Sequence, residues 1–139
     1  MEILAIPRRQ DAGDAARGPG PLVVACESIA GAMVLGAGGE ELGRLEHVML
    51  DVRGGRVAYG VLAHGGVFGL GARLFAIPWE AFALDAARHC LVLAIDRETL
   101  ERSPGFDDTR WPAMGDARWA AQVHEYFGLW PYWMRDPAR

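Results

Sequence analysis

Four histidines, His47, His64, His89 and His124, are the side chains best suited to hold a metal or move a proton near neutral pH. No two of them stand four residues apart, so the helical spacing of a paired metal site is missing. His124-Glu125 has no second histidine to complete a zinc-hydrolase motif. Asp51 closes an alternating segment beside Arg53 and Arg56, which suits a turn or an electrostatic role better than a general base. Asp107 and Asp108 supply too few oxygen donors for a cation cage, and after Pro104-Gly105 Asp107 suits a turn. Cys26 and Cys90 are far apart and lack a Cys-x-x-Cys partner, which argues against a zinc ribbon or a redox dithiol. Cys90 opens an apolar run and reads as buried. A disulfide between the two stays open, with reduced thiols the simpler reading. All 14 basic residues are arginine, so Schiff-base and P-loop lysines are excluded. The sequence therefore carries no catalytic set, no metal ligand set and no cofactor motif.

Two segments remain that suit contact rather than catalysis. From Gly65 to Gly71, four glycines frame Val67, Phe68 and Leu70. The spacing is not that of a dinucleotide fingerprint, and no helix pattern follows to hold a phosphate. The loop either folds onto its own domain or forms an exposed apolar patch that docks a partner. The second segment is aromatic: Trp111, Trp119, Tyr126, Phe127, Trp130, Tyr132 and Trp133 crowd the last third of the chain. Nucleic-acid stacking needs a basic groove beside such rings. Here Asp107, Asp108, Asp116 and Glu125 offset Arg110 and Arg118. Trp and Tyr are favoured interface anchors, so packing on the domain or on a second subunit is the better reading.

The elements that position these segments read as short strands. Met33-Val34-Leu35 is a brief apolar run. From His47 to Val52, Val48, Leu50 and Val52 alternate with His47, Met49 and Asp51, the period of a half-buried strand. Arg53-Gly54-Gly55-Arg56 reads as a hairpin turn leading into a strand from Val57 to Ala63. Leu74 to Ile77, Phe82 to Leu84 and Cys90 to Ile95 are three more strands, with Pro78 ending the first. Met1 to Ile6 can dock as an extra strand. Asp96 and Asp116 are N-cap residues for two helices, and Gly128 is a C-terminal stop. Trp119, Ala120, Val123 and Phe127 form the apolar stripe of the second helix. Even strand spacing with glycine turns predicts a mainly β chain, a small antiparallel barrel with a helical C-terminal extension. The expected divisions are a flexible tail over 1–25, the barrel over 26–96 and an aromatic-rich extension over 97–139 that packs on it.

A chain of 139 residues fits one core, and 51% hydrophobic with 23% charged residues is ordinary for a globular protein. A net charge of −4 and a pI near 5.5 leave no global footprint for nucleic acid. No apolar run approaches the ~20 residues of a membrane-spanning helix, and Met1 to Ile6 is too short for a signal segment. A cytoplasmic protein is expected.

With these residues in view, the chain resembles the PRC-barrel family. Gly39 to Leu45 with Asp51 is similar to that family's first hairpin, and Gly54 to Leu62 to its second. Gly65 to Gly71 resembles its glycine-aromatic loop, and Phe75-Ala76-Ile77-Pro78-Trp79 its Pro-Trp strand. Val67-Phe68 reverses the usual aromatic-aliphatic order, and Ala72 stands where a polar residue often follows. The likeness covers roughly Ile29 to Ile95. The aromatic tail resembles an extension on some stand-alone bacterial members. The resemblance implies a small β-barrel that binds macromolecules and carries no catalytic residues. Related barrels occur in the photosynthetic reaction centre H subunit and in a ribosome maturation factor. The expected function is a non-enzymatic binding or adaptor module that forms a homo-oligomer, in first instance a dimer. Its contact residues would be Val67, Phe68, Leu70, Trp130, Tyr132 and Trp133. The alternatives are a ribosome- or RNA-processing factor and, behind it, a membrane-associated electron-transfer accessory like the H subunit.

Overall fold

Asp51 and Gly55 make the turn around which the longest two strands fold. Gly55 adopts φ +64°, a conformation costly for other residues, and its N–H donates to the Asp51 carbonyl at 2.8 Å. The computed structural model describes residues 4–5, 23–66, 71–85 and 87–134. In chain order its elements are β1 (Leu4–Ala5), α1 (Cys26–Ile29), β2 (Met33–Leu35), β3 (Glu41–Asp51), β4 (Arg56–His64), β5 (Arg73–Pro78), β6 (Phe82–Asp85), β7 (Cys90–Leu93), α2 (Arg97–Arg102), β8 (Gly105–Phe106) and α3 (Ala117–Tyr126). Two short 3-10 turns, Trp79–Ala81 and Tyr132–Met134, complete them.

The strands form one sheet in the order β1-β6-β7-β2-β3-β4-β5-β8. β5 and β6 are joined only by the Trp79–Ala81 turn, yet they lie far apart in that order. So short a link is possible only because the sheet curls back on itself. The expected mainly β class with a helical C-terminal extension holds. Two details differ from a closed antiparallel barrel. β2 pairs with β7 in parallel, Val34 opposite Leu91, because the crossover brings together strands that are not chain neighbours. Among the described residues the sheet also ends on two edges, β1 and β8, instead of closing strand to strand.

Two apolar layers flank the sheet. Val34, Leu45, Leu62, Phe75, Ile77, Phe82 and Leu93 fill the concave side. Tyr59, Val61, Leu74 and Ala76 point to the other side, where Ala120, Val123 and Phe106 cover them. β4 and β5 are therefore buried on both faces. That explains why Leu74 to Ile77 reads as an unbroken apolar run instead of an alternation. At Gly60 a Cβ would sit 2.8 Å from Phe82 Cε2 and 2.9 Å from Leu45 Cδ1, so only glycine lets the opposite wall of the core approach.

Several boundaries move. β3 begins at Glu41 and carries register shifts between Leu45 and His47 and between Met49 and Leu50. These bulges break the even alternation predicted from His47 to Val52. Val48 packs on the core, Leu50 is 64% exposed, and Val52 lies in the turn at 86% exposed. The strand expected to reach Ile95 stops at Leu93, where the chain bends so that Ile95 N–H donates back to the Leu93 carbonyl. β8 was not apparent in the sequence, since Gly105-Phe106 is too short to carry a period. The expected strand within Met1 to Ile6 exists as Leu4 and Ala5 paired with Leu84 and Ala83. The rest of 1–22 lies outside the described residues.

Candidate interaction surfaces

The polar residues singled out in the sequence are held in structural roles. Asp96 Oδ1 accepts the Thr99 N–H at 2.8 Å and caps α2, and Asp116 Oδ1 accepts the Arg118 N–H at 2.8 Å and caps α3. Asp107 Oδ1 accepts from the backbone and hydroxyl of Thr109, a turn that holds its carboxyl below the usual range. His47 stacks edge-on to Trp111, with centroids 5.3 Å apart. His89 makes a turn in the left-handed region at φ 54°. His64 bridges elements: Nδ1 lies 2.5 Å from the Leu42 carbonyl and Nε2 2.9 Å from Glu101 Oε2 on α2. Cys26 is exposed and Cys90 buried, both as free thiols. Burial, and then the nearby Asp85, push the Cys90 thiol up, away from reactivity.

His124 is a core residue. It is wholly buried, with Nδ1 2.7 Å from the Ala120 carbonyl and Nε2 accepting the Tyr132 N–H at 3.3 Å. That pattern assigns the neutral tautomer with its proton on Nδ1. The Tyr59, Tyr132 and Trp133 rings surround it at 5.6, 5.7 and 5.9 Å. The buried stripe of α3 is thus Ala120, Val123 and His124, while Trp119 and Phe127 flank it half-buried. Treating histidine as polar shifted the predicted stripe. The i, i+3, i+4 spacing of Ala120, Val123 and His124 was the available signal.

Tyr132 ties the aromatic turn to the tip of the β3–β4 hairpin. Its hydroxyl donates to Asp51 Oδ2 at 2.9 Å, and its carbonyl accepts from Arg56 Nη1 at 3.2 Å. The Arg56 guanidinium lies 5.0 Å from its ring centroid, a cation–π contact. The Gly54 N–H, foremost, and the Tyr132 hydroxyl hold the Asp51 carboxyl below its ordinary value. Burial, and then Asp51, push the Tyr132 phenol up. Burial does the same to Tyr59, whose hydroxyl has no hydrogen-bond partner among the described residues. Tyr132 is therefore an anchor that displays its neighbours Trp130, Trp133 and Met134, which are 70%, 40% and 56% exposed.

A second apolar surface lies on the other side of that hairpin tip. Leu50 and Val57 face a groove of about 410 Å³ whose far wall is Trp79, Leu84 and Leu91 and whose floor includes Ile29. It occupies the gap that the sheet leaves between the β3–β4 tip and β6–β7, and every side chain lining it is uncharged. No sequence pattern marked it, because its walls come from distant strands.

The predicted contact residues divide between those the structure describes, Trp130, Tyr132 and Trp133, and those it does not. Val67, Phe68 and Leu70 lie outside the described residues. β4 ends at His64, and Tyr132 grips Arg56 at the start of that strand. Nine strand residues separate those ends by roughly 26 Å. Trp130, Tyr132 and Trp133 share the hairpin-tip end with the groove.

Among the described residues no helix is long and apolar enough to cross a membrane. A family model described as PRC-barrel domain matches residues 22–100, which takes in α1 through β7 and most of α2 and leaves β8 and α3 beyond it. No curated protein matches the chain. A crystal structure from Pseudomonas aeruginosa, of a protein named RimM for 16S ribosomal RNA processing, is similar at 19% identity and a TM-score of 0.38. The likeness covers 54% of this chain and 45% of that one, so the chain spans less than half of its length.

Proposed function

This chain belongs to the PRC-barrel domain family, and from that premise we propose that it is a non-enzymatic binding module that associates with a second copy of itself in the cytoplasm. The observation that carries this reading is the hairpin-tip end of the molecule. There an uncharged groove of about 410 Å³ and an aromatic turn with Trp130 at 70% exposure flank one pair of strands. Exposed apolar area of that kind gains most by burial against a protein surface. The two free thiols fit a reducing compartment. The candidate acid–base residues are spent on caps, turns and core packing, which fits binding rather than turnover.

Sedimentation across a concentration series tests the reading. Trp130→Asp, Trp133→Asp and Phe68→Asp chains are compared with the parent. Loss of the dimer in the two Trp variants, with an unchanged melting curve, supports the hairpin-tip surface. Loss in Phe68→Asp alone moves the contact to the Gly65–Gly71 loop. A parent chain that is monomeric throughout overturns self-association.

One observation favours a second reading, an RNA-associated factor. A cleft of about 510 Å³ between the ends of β2 and the β6–β7 turn is lined by Arg44, Arg88 and His89 and by no acidic side chain. Binding of ribosomal RNA that falls steeply with salt and is lost in Arg44→Glu would support it.

A further inference from the structure

Among the described residues the sheet does not close, and the outer edge of β6 is taken by two residues. Leu4 lies opposite Leu84 and Ala5 opposite Ala83 in antiparallel register. Leu84 also lines the apolar groove, so β1 runs along the groove's rim. The segment that supplies β1, Met1-Glu2-Ile3-Leu4-Ala5-Ile6-Pro7, is strongly apolar. Strand pairing beside an apolar pocket is the geometry of strand addition, in which backbone bonds hold the strand and the pocket takes side chains.

Seventeen residues, 6–22, join β1 to Val23. Extended, they reach about 56–61 Å. A domain of this length has a radius of gyration of about 14 Å. The same strand can therefore reach the β6 edge of a neighbouring molecule. With β1 paired to its own β6, Val23, Leu50 and Val52 remain 83%, 64% and 86% exposed. Exchange keeps the β1–β6 pairing, and burial of these side chains against the second copy would favour the dimer.

We infer that the β6 edge and its groove form a strand-acceptor site, and that a second copy of this chain fills it through reciprocal exchange of β1. This rests on the self-association reading above and gives it a mechanism. Exchange of an identical element makes a two-fold dimer at low cost, since the strand pairing that each chain gives up internally forms again with its partner.

The test uses the full chain on a Cys26→Ser background. One preparation carries Ala5→Cys and another Ala83→Cys, the positions opposite each other in the register. They are mixed at concentrations where the parent is dimeric, then oxidised. Exchange predicts a covalent heterodimer on a non-reducing gel. A double Ala5→Cys/Ala83→Cys chain that closes only on itself, with no heterodimer in the mixture, overturns the exchange while leaving self-association standing. A parent that stays monomeric overturns both. Absence of any disulfide in the double chain overturns the β1–β6 pairing itself.

Discussion

The two sides of the β3–β4 hairpin are built from similar residues and end in opposite states. On one side Tyr59, Ala58 and Val61 are sealed beneath Ala120, Val123 and Phe106, and Tyr59 is 2% exposed. On the other, Leu50 and Val57 open onto a groove and Leu50 is 64% exposed. Side-chain chemistry does not separate them. What separates them is that the residues after β7 return to seal one side, while the residues that line the other, Val23, Val24 and Ile29 among them, leave a groove open. Capping and latching make the cover specific: Asp116 starts α3, and Tyr132 fastens the turn after it to Asp51 and Arg56. The covered side is thus part of the core, and the open side is where burial remains to be gained.

Substitutions break or sharpen this contrast. Tyr59→Ala removes a buried ring from the sealed side and lowers unfolding free energy by about 3–5 kcal/mol in denaturant titration. Tyr59→Phe removes only a buried hydroxyl without a partner, so its midpoint holds or rises. A large loss there would mean the hydroxyl has a partner. Gly60→Val overfills the space shared with Phe82 and Leu45 and costs about 1–3 kcal/mol by the same measurement.

Asp51→Asn weakens the latch in a pH-dependent way. The folded carboxyl lies below its unfolded value, held first by the Gly54 N–H and then by the Tyr132 hydroxyl. Its contribution is therefore present above the unfolded value and disappears as pH falls through the folded one. The gap in midpoint between parent and variant, full at about pH 7, should shrink toward about pH 3. Asp96 and Asp107 are lowered too but are common to both chains, so they cancel in the difference. A gap that widens in acid would contradict the latch. The smallest stability effect belongs to the open side. Leu50→Ala should stay within about 0.5 kcal/mol, while Leu50→Asp weakens self-association in sedimentation. A large stability loss from Leu50→Ala would mean the groove is closed in solution.

Most of the β architecture was legible in the sequence. Gly54-Gly55, Pro78, Asp96, Asp116 and Gly128 act locally, through backbone angles or a bond two or three residues away, and each sits where the structure ends or starts an element. The motifs from Gly39 to Trp79 likewise carried the family. The long-range features were not legible. The bulges that turn Leu50 outward depend on pairing with β4, and β8 is too short to show a period. The parallel β2–β7 pair and the groove join residues that are far apart in the chain. Trp130, Tyr132 and Trp133 looked alike as aromatic residues. Only their neighbours made Tyr132 an anchor and left Trp130 on the surface.

By itself the sequence determined the turns, the caps, the strand-rich class and the lack of a recognisable catalytic motif, because these follow from local backbone chemistry and residue type. Tertiary structure alone decided that His124 is a core residue and that β4 is buried on both faces. It also decided that Tyr132 latches the aromatic turn to Asp51 and Arg56, and that a groove stays open beside Leu84. Each of these depends on which distant surface a residue meets, and burial is a property of both partners.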